Sequence, residues 1–186
     1  GGNFHIRRTD MSIILLAGMP GAGKEEFLKV AREKNFDIVR MGDIVRKIAL
    51  EQDVPRNDIG VGQFAHDERE RFHYGIWAER TLSEISKVRT VIDGVRSYEE
   101  VEIFKAELQK DMQIVAIHAS PDIRFERLKK RGREDSPENW KQFRERDERE
   151  LYWGLGKIIA VADKIIVNER TLTEFHKKVD EFLNSF

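Results

Sequence analysis

The chain has 186 residues, enough for one domain with a full core and short for two independent ones. Its 33 Lys and Arg nearly cancel its 34 Asp and Glu, so overall charge points neither to nucleic acid nor to a solvating acidic tail. Cysteine is absent, which excludes disulfide staples, Cys-ligated zinc and thiol catalysis and suits a cytoplasmic protein.

The first ten residues, GGNFHIRRTD, are polar and irregular and are expected to be a cloning remnant or a frayed tail outside the fold. A single domain is expected over residues 11–186. It opens on the apolar run SIILLA, far shorter than the roughly 20 residues that cross a bilayer. A glycine-rich loop, GMPGAGK, and an amphipathic stretch, EEFLKVAREK, follow. DIVRM reads as a second strand and DIVRKIALEQ as a second helix. Residues 54–87 hold no strand candidate. A turn-rich start, VPRNDIGVG, leads into a helical pattern carrying Phe64, Phe72, Trp77 and Leu82, so a helical insertion is expected there.

RTVID, the helical SYEEVEIFKAELQ and the apolar MQIVAIHA restore the alternation. A densely charged segment over about residues 127–150 is broken by Gly132 and by Ser136-Pro137; it predicts a short lid of helix, turn and helix, with Ser136 as N-cap. DKIIV and a last helix close the chain. Apolar runs alternating with helices imply parallel strands joined by crossovers. SIILLA, TVID, IVAIHA and KIIV are continuously apolar, as strands covered on both faces are. The expectation is a three-layer α/β domain with about five strands. The charged fraction of 36% is similar to that of heat-adapted proteins.

Gly18, Gly23 and Lys24 match G-x-x-x-x-G-K, the core of the Walker A loop, in its required place after a strand and before a helix. Glycines let backbone N–H groups turn inward toward phosphate, and the helix start adds partial positive charge. Gly18, Met19, Pro20, Gly21, Ala22, Gly23, Lys24 and Glu25 are the candidate nucleotide-binding residues, with Lys24 reaching the β- and γ-phosphates. Glu25 stands where Ser or Thr would ligate Mg²⁺. A carboxylate beside triphosphate repels it unless it coordinates the metal or turns away. It is read as a favourable acid in the first turn of a helix. The metal then needs another anchor, and Asp93, ending its strand at the expected ligand edge, is the candidate.

Together GMPGAGK, MGDIVR (residues 41–46), IDGVRS (residues 92–97), the arginine-rich residues 127–149 and ADKIIVN (residues 162–168) resemble the adenylate kinase-like nucleoside monophosphate kinases. They resemble more closely an archaeal family of adenylate-kinase-related P-loop proteins. The resemblance runs from Met11 to the C-terminus, with all blocks in order. It implies a P-loop NTPase fold with an acceptor-binding insertion and a lid. It implies ATP with Mg²⁺ as cofactors, and transfer of the γ-phosphoryl group to a phosphate-bearing acceptor, AMP leading. Gly42, Asp43 and Arg46 look like T-G-D-x-x-R, whose arginine grips the acceptor phosphate. IDGVR is similar to D-G-F-P-R, making Asp93 the Mg²⁺-associated acid and Arg96 a second acceptor ligand. Arg127 and Arg131 resemble the lid-base arginines that clamp donor phosphates, and Arg133, Arg144 and Arg146 fall in the lid and after it.

MGD in place of T-G-D, and IDGVR without proline or aromatic residue, leave acceptor identity open. Two other readings stay beside the first: a dephospho-coenzyme A kinase-like enzyme, with Asp43 as base, and a nucleotide-sensing or slow ATPase module that serves a partner. Nucleic acid is disfavoured, because no basic surface accompanies the aromatics. His66 and His73 read as a solvated or half-buried face, His118 as a packed or capping residue, and GVGQF and GLGK as turns.

Overall fold

The computed structural model describes residues 11–186, without the side chain of Asp58; the expected remnant at residues 1–10 lies outside the described residues. Five strands form one parallel sheet. They are β1 (Ser12–Gly18), β2 (Asp37–Arg40), β3 (Arg89–Asp93), β4 (Met112–His118) and β5 (Lys164–Val167), in the order β2-β3-β1-β4-β5. Every strand after β1 is reached through helix, because parallel neighbours need a crossover longer than a hairpin.

β1 lies at the centre, and its side chains alternate between two layers. Ile13, Leu15 and Ala17 pack with α2 (Met41–Glu51), α3 (Asp58–Arg71), α4 (Ile76–Leu82), α5 (Tyr98–Leu108) and α8 (Leu155–Ala160). Ile14 and Leu16 pack with α1 (Lys24–Glu33) and α9 (Leu172–Leu183). A strand apolar at every position from Ile13 to Ala17 therefore serves two cores, each large side chain contributing on the order of 1.5–3 kcal/mol by burial. Two further helices, α6 (Pro121–Arg131) and α7 (Trp140–Trp153), stand over the carboxyl edge of the sheet beside the glycine-rich loop.

Several sequence expectations need correction. β5 is an edge strand in which only Ile166 is buried; Ile165 and Val167 are exposed, although KIIV is as apolar as the central strands. GVGQF is not a turn but lies inside α3, whose N-terminus Asn57 caps by accepting the Gly60 N–H at 2.7 Å. GLGK is a turn only at Gly154, the left-handed junction of α7 and α8; its other residues are helical. Ser136 does not cap α7. Asn139 does, accepting from the Gln142 N–H at 2.9 Å, while Ser136 Oγ accepts the Arg133 N–H within the preceding turn. His118 is exposed rather than packed.

Candidate functional site

The loop from Gly18 to Gly23 crosses from β1 to α1 at the carboxyl edge of the sheet. Its conformation is set from behind by three side chains that collect its carbonyl oxygens. Arg124 Nη1 donates to Pro20 O at 3.1 Å, and Asn168 Nδ2 donates to Ala22 O at 2.8 Å. Arg127 Nη1 approaches Gly21 O and Ala22 O at 3.4 and 3.5 Å, and its Nη2 donates to Asn168 O at 2.6 Å. With the carbonyls drawn outward, the loop offers its N–H side and the uncapped start of α1 to the cavity. Two glycines are obligatory for this approach. A Cβ on Gly21 (φ 83°) would stand 2.8 Å from Arg124 O, and one on Gly23 (φ 114°) 2.4 Å from Asn168 Nδ2.

Arg124 can serve in this way because it is itself neutralised. Its fork meets Asp147 of α7 at 2.9 and 2.7 Å, Nε donates to Ala119 O at 3.0 Å, and both charged groups are buried. Among the described residues Arg127 has no such carboxylate in contact, and burial pushes its guanidinium below its ordinary pKa against a smaller opposing effect of Glu169.

In front of the loop, four charged groups form a chain of alternating sign. Lys24 Nζ donates to Asp93 Oδ1 at 2.8 Å. Arg40 Nη1 donates to Asp93 Oδ2 at 3.2 Å and to Glu25 Oε1 at 2.9 Å, and Arg40 Nη2 donates to Glu25 Oε2 at 3.0 Å. Sheet register brings the chain together, since Arg40 ends β2 directly opposite Asp93, which ends β3. Residues in register on adjacent strands send their side chains to the same face about 5 Å apart. Hydrogen bonding to Arg40 holds the Glu25 carboxyl below its ordinary range against a smaller opposing effect of burial, and the same contact raises Arg40. Glu25 is therefore more than a helix-start acid: it is turned into a forked pair with an arginine from another strand.

A cavity of about 250 Å³ opens over the loop. It is lined by the loop itself, by Lys24 and Glu25, by Gly94 to Arg96, and by Arg131, Arg133 and Arg146 from α6, the turn after it and α7. Arg131 and Arg96 are thus brought to the loop. Arg127 is not among the lining residues; its donors go to backbone behind the loop. Asp43 and Arg46 also lie off the cavity, exposed and paired at 2.5 Å, with the guanidinium folded over Gly42. Arg144 pairs with Glu148 on the outer side of α7.

Arg96 follows β3 in a segment that Glu100 holds. One carboxylate oxygen of Glu100 accepts the N–H groups of Arg96 and Ser97, both at 3.0 Å, while Ser97 caps α5. Burial raises the Glu100 carboxyl above its ordinary pKa despite those donors. The Arg96 guanidinium lies over the Trp153 ring, 5.2 Å from its centroid. Sequence reasoning gave no role to Arg40, Arg124, Asp147 or Asn168. The local signals were a basic residue immediately before MGD and the Asn that closes ADKIIVN.

The fit of a protein-held Mg²⁺ is tested by the donor set. The hydroxyl of the usual loop is absent, and all four carboxylate oxygens of Glu25 and Asp93 face a cationic nitrogen of Lys24 or Arg40. Among the described residues no three His, Asp or Glu side chains converge as a metal site. These residues do not fit direct protein ligation of the ion.

Comparison with known proteins places this arrangement. The UPF0200 protein of Thermoplasma acidophilum is 45% identical over 172 residues, covering 92% of this chain and 94% of that protein. The chain belongs to the UPF0200 family. Another UPF0200 relative, from Pyrococcus horikoshii, is 38% identical over 178 residues, with 92% and 96% covered. A family model described as an AAA domain matches residues 14–152 of this UPF0200 chain.

Among solved structures, its fold is similar to that of TT1252 from Thermus thermophilus. The TM-score is 0.64 at 12% identity, with 95% of this chain and 98% of that one covered. It is also similar to shikimate kinase from Acinetobacter baumannii in complex with shikimate, with a TM-score of 0.59 at 14% identity and 94% of each chain covered. The UPF0200 chain thus has an α/β P-loop kinase-like fold, and at these identities the likeness is one of fold.

Proposed function

We propose that this UPF0200 protein is an ATP-dependent phosphotransferase of the nucleoside monophosphate kinase type. It moves the γ-phosphoryl group to a phosphate-bearing small acceptor, with AMP the leading candidate. The observation that carries this reading is one cavity over the loop, lined by its glycines and Lys24, by Arg131 and by Arg96, from three separate segments. Triphosphate would lie against the loop N–H groups, with Lys24 and Arg131 on its oxygens. On the acceptor side Arg96 reaches the same cavity, and Gly42, Asp43 and Arg46, the other proposed acceptor residues, lie outside its lining. ATP is the donor, and Mg²⁺ accompanying it is assigned no protein ligand here.

In this reaction an acceptor phosphate oxygen attacks the γ-phosphorus in line, the bond to the β,γ-bridging oxygen breaks, and ADP leaves with that electron pair. An ionised phosphate is already a nucleophile, so no general base is required, and the protein's work is positioning and charge neutralisation. A hydroxyl acceptor, as in a dephospho-coenzyme A kinase, needs a base. Asp43, the candidate, is paired with Arg46 outside the cavity lining.

The test is ADP release measured with a panel of acceptors. AMP or another monophosphate should stimulate release at least about tenfold over ATP alone, equivalent to about 1.4 kcal/mol of barrier. Stimulation by dephospho-coenzyme A alone overturns the acceptor class. Tight nucleotide binding with no stimulation by any acceptor leaves a sensing module instead.

A further inference from the structure

Resting on the reading of the loop as a nucleotide site, we infer that Arg40 is a resident cation that takes over the metal's task of neutralising the carboxylates at the loop and at the end of β3. In an ordinary loop a hydroxyl and a strand-end acid are linked through Mg²⁺ and its waters. Here both positions are carboxylates, and one guanidinium spans them. Arg40 Nη1 is shared between Glu25 Oε1 and Asp93 Oδ2, at 2.9 and 3.2 Å, while Nη2 completes a fork on Glu25 at 3.0 Å.

Charge explains why the arginine is needed. Glu25 lines the phosphate cavity, and Arg40 does not, so the guanidinium neutralises the acid from behind and leaves the phosphate space clear. Without it, two carboxylates would stand beside the triphosphate with only Lys24 to offset them, and like charges at short range in a partly desolvated site repel. With it, Lys24, Asp93, Arg40 and Glu25 sum to zero net charge. Lys24 has three N–H donors and can keep one on Asp93 while offering the others to phosphate.

Arginine suits this role and lysine does not. Its charge persists at every relevant pH, and its planar fork meets a carboxylate with two parallel bonds while a shared nitrogen serves the second acid. A divalent ion between Glu25 and Asp93 would have to displace that fork and then stand beside a cation that cannot lose its proton. Arg40 thus acts on the nucleotide through the charge of Glu25, and the divalent ion is dispensable for nucleotide binding.

Calorimetric titration of the full chain with a non-hydrolysable ATP analogue, in Mg²⁺ and in EDTA, tests the inference. The wild-type affinity in EDTA should stay within about threefold of that in Mg²⁺, and Arg40→Met should lose at least about tenfold in EDTA, with Mg²⁺ restoring much of the loss. The double variant Glu25→Gln/Arg40→Met removes the stranded acid and should recover to within about threefold of wild type in EDTA. Thermal melting of each variant shows whether it folds. If Arg40→Met does not, the wild-type and double-variant arms still decide.

A larger wild-type loss in EDTA overturns the inference and leaves the nucleotide reading standing. Failure of the double variant to recover overturns it as well, because the loss would then lie in structure rather than charge. Absence of binding in both buffers removes the nucleotide reading and this inference together.

Discussion

Two arginine–carboxylate forks bracket the phosphate loop, and they do different work because they sit in different surroundings. Behind the loop, Arg124 and Asp147 are nearly sealed from water, with side chains 5% and 3% exposed. In front, Arg40 and Glu25 make the same kind of fork with 27% and 50% exposure. A sealed charge cannot turn to solvent when its partner is lost, so the rear pair locks the loop's carbonyls in place. A half-open pair keeps water as an alternative. It costs little to break and is suited to adjusting charge beside a ligand. The loop's shape is therefore built from behind, and its charge is set in front.

The largest effect should come from breaking the rear pair. Asp147→Ala strands a buried guanidinium and should lower stability by about 3–5 kcal/mol, read from urea unfolding midpoints. A loss below about 1 kcal/mol would mean that Arg124 finds water or another acceptor, and the contrast between the two forks would fail. The next effect is chemical. Lys24→Ala should remove acceptor-dependent ADP release, at least about 100-fold in kcat/KM or ~2.7 kcal/mol. The unfolding midpoint should move little, since Asp93 retains Arg40. Unchanged turnover would take the loop out of the mechanism.

Arg96→Ala should act on the open side of the cavity alone. Its guanidinium has the Trp153 ring beneath it and its backbone is anchored by Glu100, so truncation leaves the loop untouched. The acceptor KM should rise about 10- to 100-fold while the ATP affinity stays within about threefold. Equal losses for donor and acceptor would place Arg96 on the triphosphate instead.

The sequence revealed what is local and concealed what depends on register. The central strands were legible because β1, β3 and β4 are apolar at successive positions, the signature of burial on both faces. β5 carries the same signature at the sheet edge, where one row of apolar side chains stays exposed, so pattern alone could not place it. The Gly18–Lys24 loop was legible because its chemistry requires glycines within seven consecutive residues.

The side chains that build the loop were not legible. Arg40 and Asp93 are 53 positions apart and meet only through the pairing of β2 with β3; Asn168 reaches Ala22 across 146 positions. Arg127 was expected on donor phosphate, yet its donors meet backbone carbonyls of the loop and of Asn168, a distinction of one helical face that spacing cannot make. For α3, the glycines of GVGQF hid a helix that its Asn57 cap and the buried Phe64 and Ala65 secure.

The smallest effect sharpens the contrast from the front. The Arg40 fork depresses the Glu25 carboxyl below its ordinary range, so the folded protein binds this proton less readily than the unfolded chain. The contribution is then fully present above the ordinary glutamate pKa of about 4.3 and is lost as pH falls through the lower folded value. Glu25→Gln should cost about 0.2–1 kcal/mol at pH 7, the range of a screened surface pair, with the deficit shrinking as pH falls past the ordinary glutamate range and vanishing below the depressed folded value. Paired urea titrations of the two proteins across that range measure it. An acid-independent deficit would mean that Glu25 contributes through packing rather than charge. A deficit as large as that of Asp147→Ala would mean that the front fork is as sealed as the rear one, leaving no difference between building the loop and setting its charge.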